Sequence, residues 1–309
     1  MKALVTGATG FVGRRLVATL EGPVVLSRDA DKARTSLRVA SFAWQPEREV
    51  APVAAFDGVD VVFNLLGEPV AGGRWTAERK ARIRQSRVAG TQNLVRALEA
   101  LPPTRRPQAL ICASAVGFYG DRGDEVLDES SLAGEGFLAD VCRQWEEAAL
   151  GAERLGVRIV RARVGLVLGP DGGPLAPMRR PFELGLGGRL GDGRQWMPWI
   201  HVDDVVGLLR HAALSNCVRG AMNVVGPAPA QNRDFTRALG RALHRPTILV
   251  VPRLALKLAF GELGDVAMQS LRVQPRVARE SGYTFRHPGL DEAIADALVR
   301  HPAPREVPA

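Results

Sequence analysis

Residues 1–16 read MKALVTGATGFVGRRL. Lys2 to Thr6 is a short apolar run suited to a strand, Gly7, Gly10 and Gly13 form a G-x-x-G-x-x-G turn, and Phe11 to Leu20 has helical spacing. Strand, glycine turn and helix in that order bring backbone amides and a positive helix terminus to the place where a pyrophosphate can sit. Three glycines alone would equally describe a tight strand-to-helix turn. The strand before them and the helix after them are what point to a dinucleotide.

The next strand, Val24 to Ser27, runs into Arg28. Where such a strand serves NAD, an acid at its end holds the ribose hydroxyls; an arginine nearby accommodates a 2′-phosphate instead. Arg28, with a hydroxyl from Ser27, therefore points to NADP(H), the alternative being a solvated charge at a strand end. Asp29 and Asp31 follow Arg28 in what reads as a loop and are less well placed for the ribose.

Further along, Val59 to Leu65 reads as a strand entered through Asp57-Gly58. Ala77 to Leu101 reads as one long amphipathic helix closed by Pro102-Pro103. Ala109 to Val116 then reads as a buried strand, Phe137 to Leu155 as a helix and Val157 to Arg163 as a strand. This alternation predicts an α/β fold with a parallel, doubly wound sheet. After about residue 170 glycine and proline become dense, and helical segments return at Asp203 to Ala213, Arg233 to Leu243 and Pro252 to Gly261, with MNVVG and ILVV as strands between them. The expected division is a nucleotide-binding domain over 1–170, with contributions from about 200–226. A substrate-facing lobe over 171–309 would contain a C-terminal module at about 247–300 and end in the loose tail PAPREVPA.

At 309 residues, 46% hydrophobic and 24% charged, the chain has the balance of a globular protein with one large domain and a smaller lobe. Its net charge of +8 comes mostly from arginines interleaved with acids, without a long basic run, so an anionic small ligand fits better than nucleic acid. The three cysteines, Cys112, Cys142 and Cys217, are far apart and in no C-x-x-C pattern, which suggests neither a disulfide framework nor a zinc site, and no metal is expected. Met1 leads directly into a strand and no apolar run approaches a membrane span. The expectation is a cytoplasmic monomer or homodimer with no membrane partner.

VTGATGFVG, VVFNLLGEPV with GGRW, Gln85-Ser86-Arg87, ASAVGFYGD, CRQWEEAA, RVGLVLGPDGG, PFELGLGGRLGDGRQWMPWIHVDD, MNVVGP, and then GE, QPRV and GYTF occur in this order over nearly the whole chain. In them the chain resembles the short-chain dehydrogenase/reductase superfamily, its extended epimerase/dehydratase branch, and more closely the "epimerase family protein" subgroup. The resemblance implies a Rossmann-type doubly wound parallel sheet with a smaller C-terminal α/β substrate lobe. It implies cofactor contacts from Gly7, Thr9, Gly10, Phe11, Val12 and Gly13 in the turn, and from Asn64, Leu65, Leu66 and Gly67 beside the adenine-ribose and pyrophosphate. Arg87 would reach the cofactor from the long helix, Glu68 would help position neighbouring loops, and Val167 would meet the nicotinamide carboxamide. Arg82 is not counted among the binding residues.

The superfamily usually pairs a Ser or Thr with Tyr-x-x-x-Lys, one helical turn apart. Aligned on Trp145, Phe137 falls at the Tyr position and Val141 at the Lys position. The chain has only two tyrosines, Tyr119 and Tyr283, and neither is followed by a lysine four residues on. Ser114 at a strand end and Tyr119 in GFYGD are then the candidate catalytic pair, Tyr119 being either an active-site phenol or one that packs a turn. In WIHVDD, His201 either faces a pocket or belongs to a strand-to-helix junction, with Asp203 as the expected N-cap. The Gly185 to Trp199 region, with Arg189, Arg194 and Gln195, either lines a site for an anionic or sugar-like ligand or is a solvent-exposed loop. Two functions follow: an NADP(H)-dependent oxidoreductase or epimerase acting on a small molecule, or an NADP(H)-binding sensor or scaffold without turnover.

Overall fold

The structure, a computed structural model, describes residues 1–71, 73–170 and 172–299. Seven strands, β1 (Ala3–Thr6), β2 (Val24–Ser27), β3 (Ala40–Ala43), β4 (Val61–Asn64), β5 (Ala109–Ala115), β6 (Arg158–Val164) and β7 (Gly220–Val224), form one sheet. Their order is β7-β6-β5-β4-β1-β2-β3 and every neighbouring pair is parallel. Strand order reverses at the β1–β4 boundary, so the connections leaving these two strands diverge and open a crevice at their carboxyl ends.

The strands read as apolar runs because both faces are covered. Helices α1 (Phe11–Val17) and α6 (Val202–Leu214) cover one face: Ala3, Val5, Val61, Phe63, Ile111 and Val160 pack with Leu16, Val17, Val205 and Leu208. Helices α3 (Ala77–Glu99) and α4 (Phe137–Leu150) cover the other, where Leu4, Val62, Leu110, Cys112 and Ile159 meet Leu94, Leu98, Trp145 and Ala149. Alternate residues of each strand thus supply alternate cores, as the two-residue period of a strand requires.

Several local expectations shift. Residues 30–37 form α2 (Ala30–Leu37) rather than a loop, because Asp29 accepts a hydrogen bond from the Lys32 amide at 2.9 Å and caps the helix. The helix expected over 137–155 ends at Leu150 and tightens into a 3-10 turn, Gly151–Leu155, closed by Gly156 at φ 79°. The cap of α6 is His201, whose ring accepts from the Asp203 amide, so Asp203 lies inside the first turn instead of capping it.

A smaller lobe is built on α5 (Leu175–Glu183), α7 (Asn232–Ala242) and α11 (Leu290–Leu298), α8 (Arg253–Phe260) and α9 (Glu262–Val266) pack on each other, and α10 (Arg276–Glu280) places Ala278 in the main core. Leu175, Phe182, Trp199, Phe235, Leu239 and Ile294 form the lobe's own core. Strand Leu249–Val251, within the expected ILVV, pairs in parallel with Gly188–Leu190, away from the main sheet. Among the described residues no helix is long and apolar enough to cross a membrane.

Candidate cofactor and substrate site

The crevice at the reversal holds a cleft of about 230 Å³, lined among others by Gly7, Thr9, Gly10, Ser27, Arg28, Trp44, Leu65, Leu66 and Gly67. Two glycines are indispensable to the turn that borders it. A Cβ on Gly7, which has φ +66°, would lie 2.3 Å from the Leu65 carbonyl oxygen, and one on Gly13 would lie 2.2 Å from the Gly7 carbonyl oxygen. Gly10 is the N-cap of α1 and supplies no capping side chain, so the first-turn amides keep their capacity for a ligand anion. These features fit a dinucleotide pyrophosphate.

At the far end of the cleft Arg28 is exposed and makes no ion pair among the described residues. The Asp29 carboxylate is taken up as the cap of α2, which leaves no acid from the β2 end on the ribose position. Glu47, from the segment after β3, stands on the rim as an acid the sequence reading did not select, beside Trp44, whose side chain is buried against the cleft.

Other expected cofactor residues act from behind the wall. Asn64 is fully buried: it accepts from the Thr6 hydroxyl (2.8 Å) and donates to Thr91 Oγ1 (2.9 Å), bracing the β4 end from which Leu65 and Leu66 depart. Arg87 does not line the cleft. Its guanidinium donates to the Glu68 and Ile83 carbonyls at 3.0 and 3.1 Å and lies 5.2 Å from the Trp145 ring centre, so it buttresses the Gly67–Glu68 loop. Burial pushes its pKa down from the ordinary arginine value. Phe11 packs against Gly169, Gly172 and Gly173, Val167 is buried in the main core, and neither these nor Val12 or Gly13 lines the cleft.

Ser114 and Tyr119 come together, but inside the protein. Registration of β5 on β6 sets Ser114 beside Arg163. Glu146 of α4 accepts from the Ser114 hydroxyl (2.7 Å), from Arg163 through two nitrogens (2.8 and 3.0 Å) and from Arg161 (3.1 Å). The Tyr119 hydroxyl donates to Asn223 Oδ1 (2.7 Å), accepts from Arg163 (2.9 Å) and lies 3.0 Å from the Asp128 carbonyl. Tyr119 is 0% exposed and Ser114 3%. Burial raises the Tyr119 pKa despite Arg163 beside it, so the phenol stays protonated. Ser114 and Tyr119, the expected catalytic pair, thus belong to a buried network that ties α4 to the sheet and to the loop after β5. Glu146 and Arg163 were not picked out from the sequence, since residues 17 apart on a helix and a strand carry no local signature of pairing.

A second cleft, of about 180 Å³, opens at the start of α4 and is lined by Trp75, Gly117, Gly136, Phe137, Glu262 and Gln269 among others. Trp75 and Phe137 meet edge-to-face with ring centres 5.1 Å apart, and the Lys80 ammonium lies 5.3 Å from the Phe137 ring centre while pairing with Glu262. Val141, one turn on, is buried. The sequence reading reached Phe137 and missed Trp75, Lys80 and Glu262, which come from other elements. Arg189, Arg194 and Gln195 line neither cleft; Gln195 is buried and donates to the Leu190 carbonyl at 3.2 Å.

His201 and the two aspartates after it join the lobes. Asp204 is fully buried and accepts from the Arg286 and His287 amides (2.8 and 2.9 Å) and from the Tyr283 hydroxyl (3.0 Å), which fastens the chain before α11 onto α6. Asp203 pairs with Arg15 of α1. His201, His287, Asp203 and Asp296 converge to within 4.8 Å, a grouping that could suit a metal ion. The Asp203 amide on His201 Nδ1 puts the ring proton on Nε2, which faces Asp296 Oδ2 at 3.1 Å but off the line of a hydrogen bond. The His201 ring is thereby a helix cap with its tautomer set, and burial followed by the neighbouring His287 pushes its pKa down to about 4.

A glycine cradle at the reversal of a seven-stranded parallel sheet defines a dinucleotide-binding protein of the doubly wound class. Residues 3–226 match the NAD dependent epimerase/dehydratase family, and residues 251–297 match a domain of unknown function, DUF1731. An epimerase family protein of Mycobacterium bovis is 40% identical over 305 residues, covering 96% of this chain and 97% of the relative. The Arabidopsis thaliana "epimerase family protein SDR39U1 homolog, chloroplastic" is 39% identical over 302 residues, covering 95% and 86%. The crystal structure of human epimerase family protein SDR39U1 (isoform 2) with NADPH superposes with a TM-score of 0.86 at 31% identity, covering 96% of this chain and 99% of that one. The chain belongs to the NAD dependent epimerase/dehydratase family and carries the DUF1731 module at its C-terminal end.

Proposed function

We propose that the protein binds NADP(H) in the first cleft and acts as an oxidoreductase or epimerase on a small, anionic or sugar-like molecule held in the second. The observation that carries the reading is Arg28, exposed on the cleft beside Ser27 and without an ion-pair partner among the described residues, while Asp29 is committed to capping α2. The human relative's structure contains NADPH, which supports the same choice here. The bound nicotinamide would supply hydride chemistry; the chain holds the phosphates on the glycine turn and the 2′-phosphate on Arg28. Trp75 and Phe137 give the second cleft an aromatic wall, and Lys80 is the cationic group beside both rings. A second reading, a cofactor-binding sensor without turnover, is favoured by one observation: Ser114 and Tyr119 are both buried with their hydroxyls engaged.

The test loads the protein with stoichiometric NADPH, adds a size-filtered metabolite extract and follows reduced-nicotinamide fluorescence beside Lys80→Met and Phe137→Ala variants. Oxidation by the native protein that either variant slows, with NADPH still bound, supports the enzyme. Tightly held, unoxidised NADPH in all three assigns the sensor. Affinity for NADH equal to that for NADPH removes the cofactor choice.

A further inference from the structure

One stretch of the C-terminal region has no part in either cleft's chemistry, yet its surface is unusual on two independent grounds. Of the fifteen large hydrophobic side chains exposed among the described residues, six lie within residues 248–260: Ile248, Leu249, Val250, Leu254, Leu258 and Phe260. Ile248 is 85% exposed, Leu254 67% and Leu258 66%, which leaves them bare rather than grazed by solvent. Three come in succession, Ile248 just before the short strand Leu249–Val251 and Leu249 and Val250 on it, and Leu254 and Leu258 stand one turn apart on α8, whose sole buried residue is Leu256. Clustered exposed apolar surface of this kind marks a contact site.

Charge is the second ground. From residue 235 to residue 261 the chain carries Arg237, Arg241, Arg245, Arg253 and Lys257, with His244, and no acid at all. Residues 79–98 and 154–170 are also basic and free of acids, but none of the exposed large hydrophobic side chains lies in them. Arg237, Arg241, His244 and Arg245 gather around a surface hollow of about 440 Å³ immediately before the bare apolar run. Acids from outside the segment reach three of these cations: Asp234 lies 3.8 Å from Arg237, Asp291 pairs with Arg241, and Asp265 lies 3.1 Å from Arg253. Arg245 and Lys257 make no ion pair among the described residues; Arg245 precedes the apolar run and Lys257 lies within it, between Leu254 and Leu258.

We propose that residues 237–260 form a docking surface for an anionic lipid bilayer, with Leu254, Leu258, Phe260 and Ile248 entering the headgroup region and the arginines and Lys257 meeting lipid phosphates. An amphipathic helix with apolar side chains on one side and cations beside them lies in the interface plane without crossing it. Basic groups next to it add attraction to anionic lipids. A second copy of the chain would cover the apolar side chains but would bring an equal set of cations against these, and like charges oppose that pairing.

The experiment floats the full chain with phosphatidylcholine vesicles, with and without about one third phosphatidylglycerol. Two variants run beside it, Leu254→Gln with Leu258→Gln and Arg245→Gln with Lys257→Gln; all four positions are exposed, and NADPH binding reports that the fold is intact. The native protein is expected to float with the anionic vesicles alone and to leave them at high salt, and each double variant to lower the bound fraction by about fivefold or more. No flotation with anionic vesicles overturns the proposal, as does flotation that both variants retain. A concentration-dependent dimer that Leu254→Gln with Leu258→Gln dissolves, without vesicle binding, overturns it in favour of a second copy.

Discussion

Replacing Arg28 by alanine is expected to weaken NADPH binding while leaving NADH binding nearly untouched. A hydrogen bond to a charged group is worth about 1.5–3 kcal/mol. Because Arg28 is exposed at the rim of its cleft, solvent screening places its contribution in the lower half of that range, about 1.5–2 kcal/mol. That corresponds to roughly a 10- to 30-fold rise in the NADPH dissociation constant. NADH has no 2′-phosphate, so its constant should move by less than about twofold on the same scale. Trp44 lines the cleft and is buried, so quenching of protein fluorescence reads both titrations directly. Salt narrows the native preference and leaves the variant's ratio nearly flat, because only the native contact is between two charges. Neutralising Glu47 by Glu47→Gln acts in the opposite sense and strengthens NADPH binding, since that carboxylate stands on the same rim. Equal losses for the two cofactors in Arg28→Ala, or a native protein that prefers NADH, would refute the assignment of Arg28 to the phosphate.

Glu146→Leu removes the acceptor of four hydrogen bonds and strands Arg163 as a buried cation, which costs about 3–5 kcal/mol. For a chain of this size that is a fall in Tm of about 5–8 °C, and adding Arg163→Met should recover most of it; a double variant as unstable as the single one contradicts the pairing. Gly13→Ala brings a methyl group to 2.2 Å from the Gly7 carbonyl oxygen. Overpacking of this order costs about 1–3 kcal/mol, so both Tm and NADPH affinity should drop, and unchanged affinity would mean the turn does not cradle the cofactor. His201 is held neutral in the fold, its pKa lowered from 6.5 to about 4 by burial and His287, with Asp203 and Asp296 opposing and Arg15 adding to the shift. A depressed value gives stability that is complete above pH 6.5 and is lost as pH falls through 4, on the order of 3 kcal/mol in all. Denaturation measured across that window should show the loss in the native protein and a shallower slope in His201→Gln.

The nucleotide half was largely readable in the chain itself. Gly7, Gly10 and Gly13 are needed within a few residues of one another, and the strand and helix around them declare themselves through local periodicity. Alternation of apolar strands with amphipathic helices implies a parallel sheet, because parallel neighbours need a covered crossover between them. Ser27 and Arg28 sit at a strand end, so their place on the cleft also follows from short-range order.

Other features depended on contacts between distant segments, to which a sequence period is blind. Ser114 and Tyr119 are near each other in the chain and looked available for chemistry; the register of β5 on β6 and the reach of Glu146 from α4 closed them inside instead. Asp204 gained its role from amides more than eighty residues away, and Trp75, Phe137 and Glu262 meet at the second cleft from three separate elements. Backbone preference and spacing act over a turn or two, and so the sequence by itself determined the strands, the helices and the glycine cradle. Burial and pairing arise only when the sheet assembles, and that is where tertiary structure decided which polar groups face a ligand and which hold the protein together.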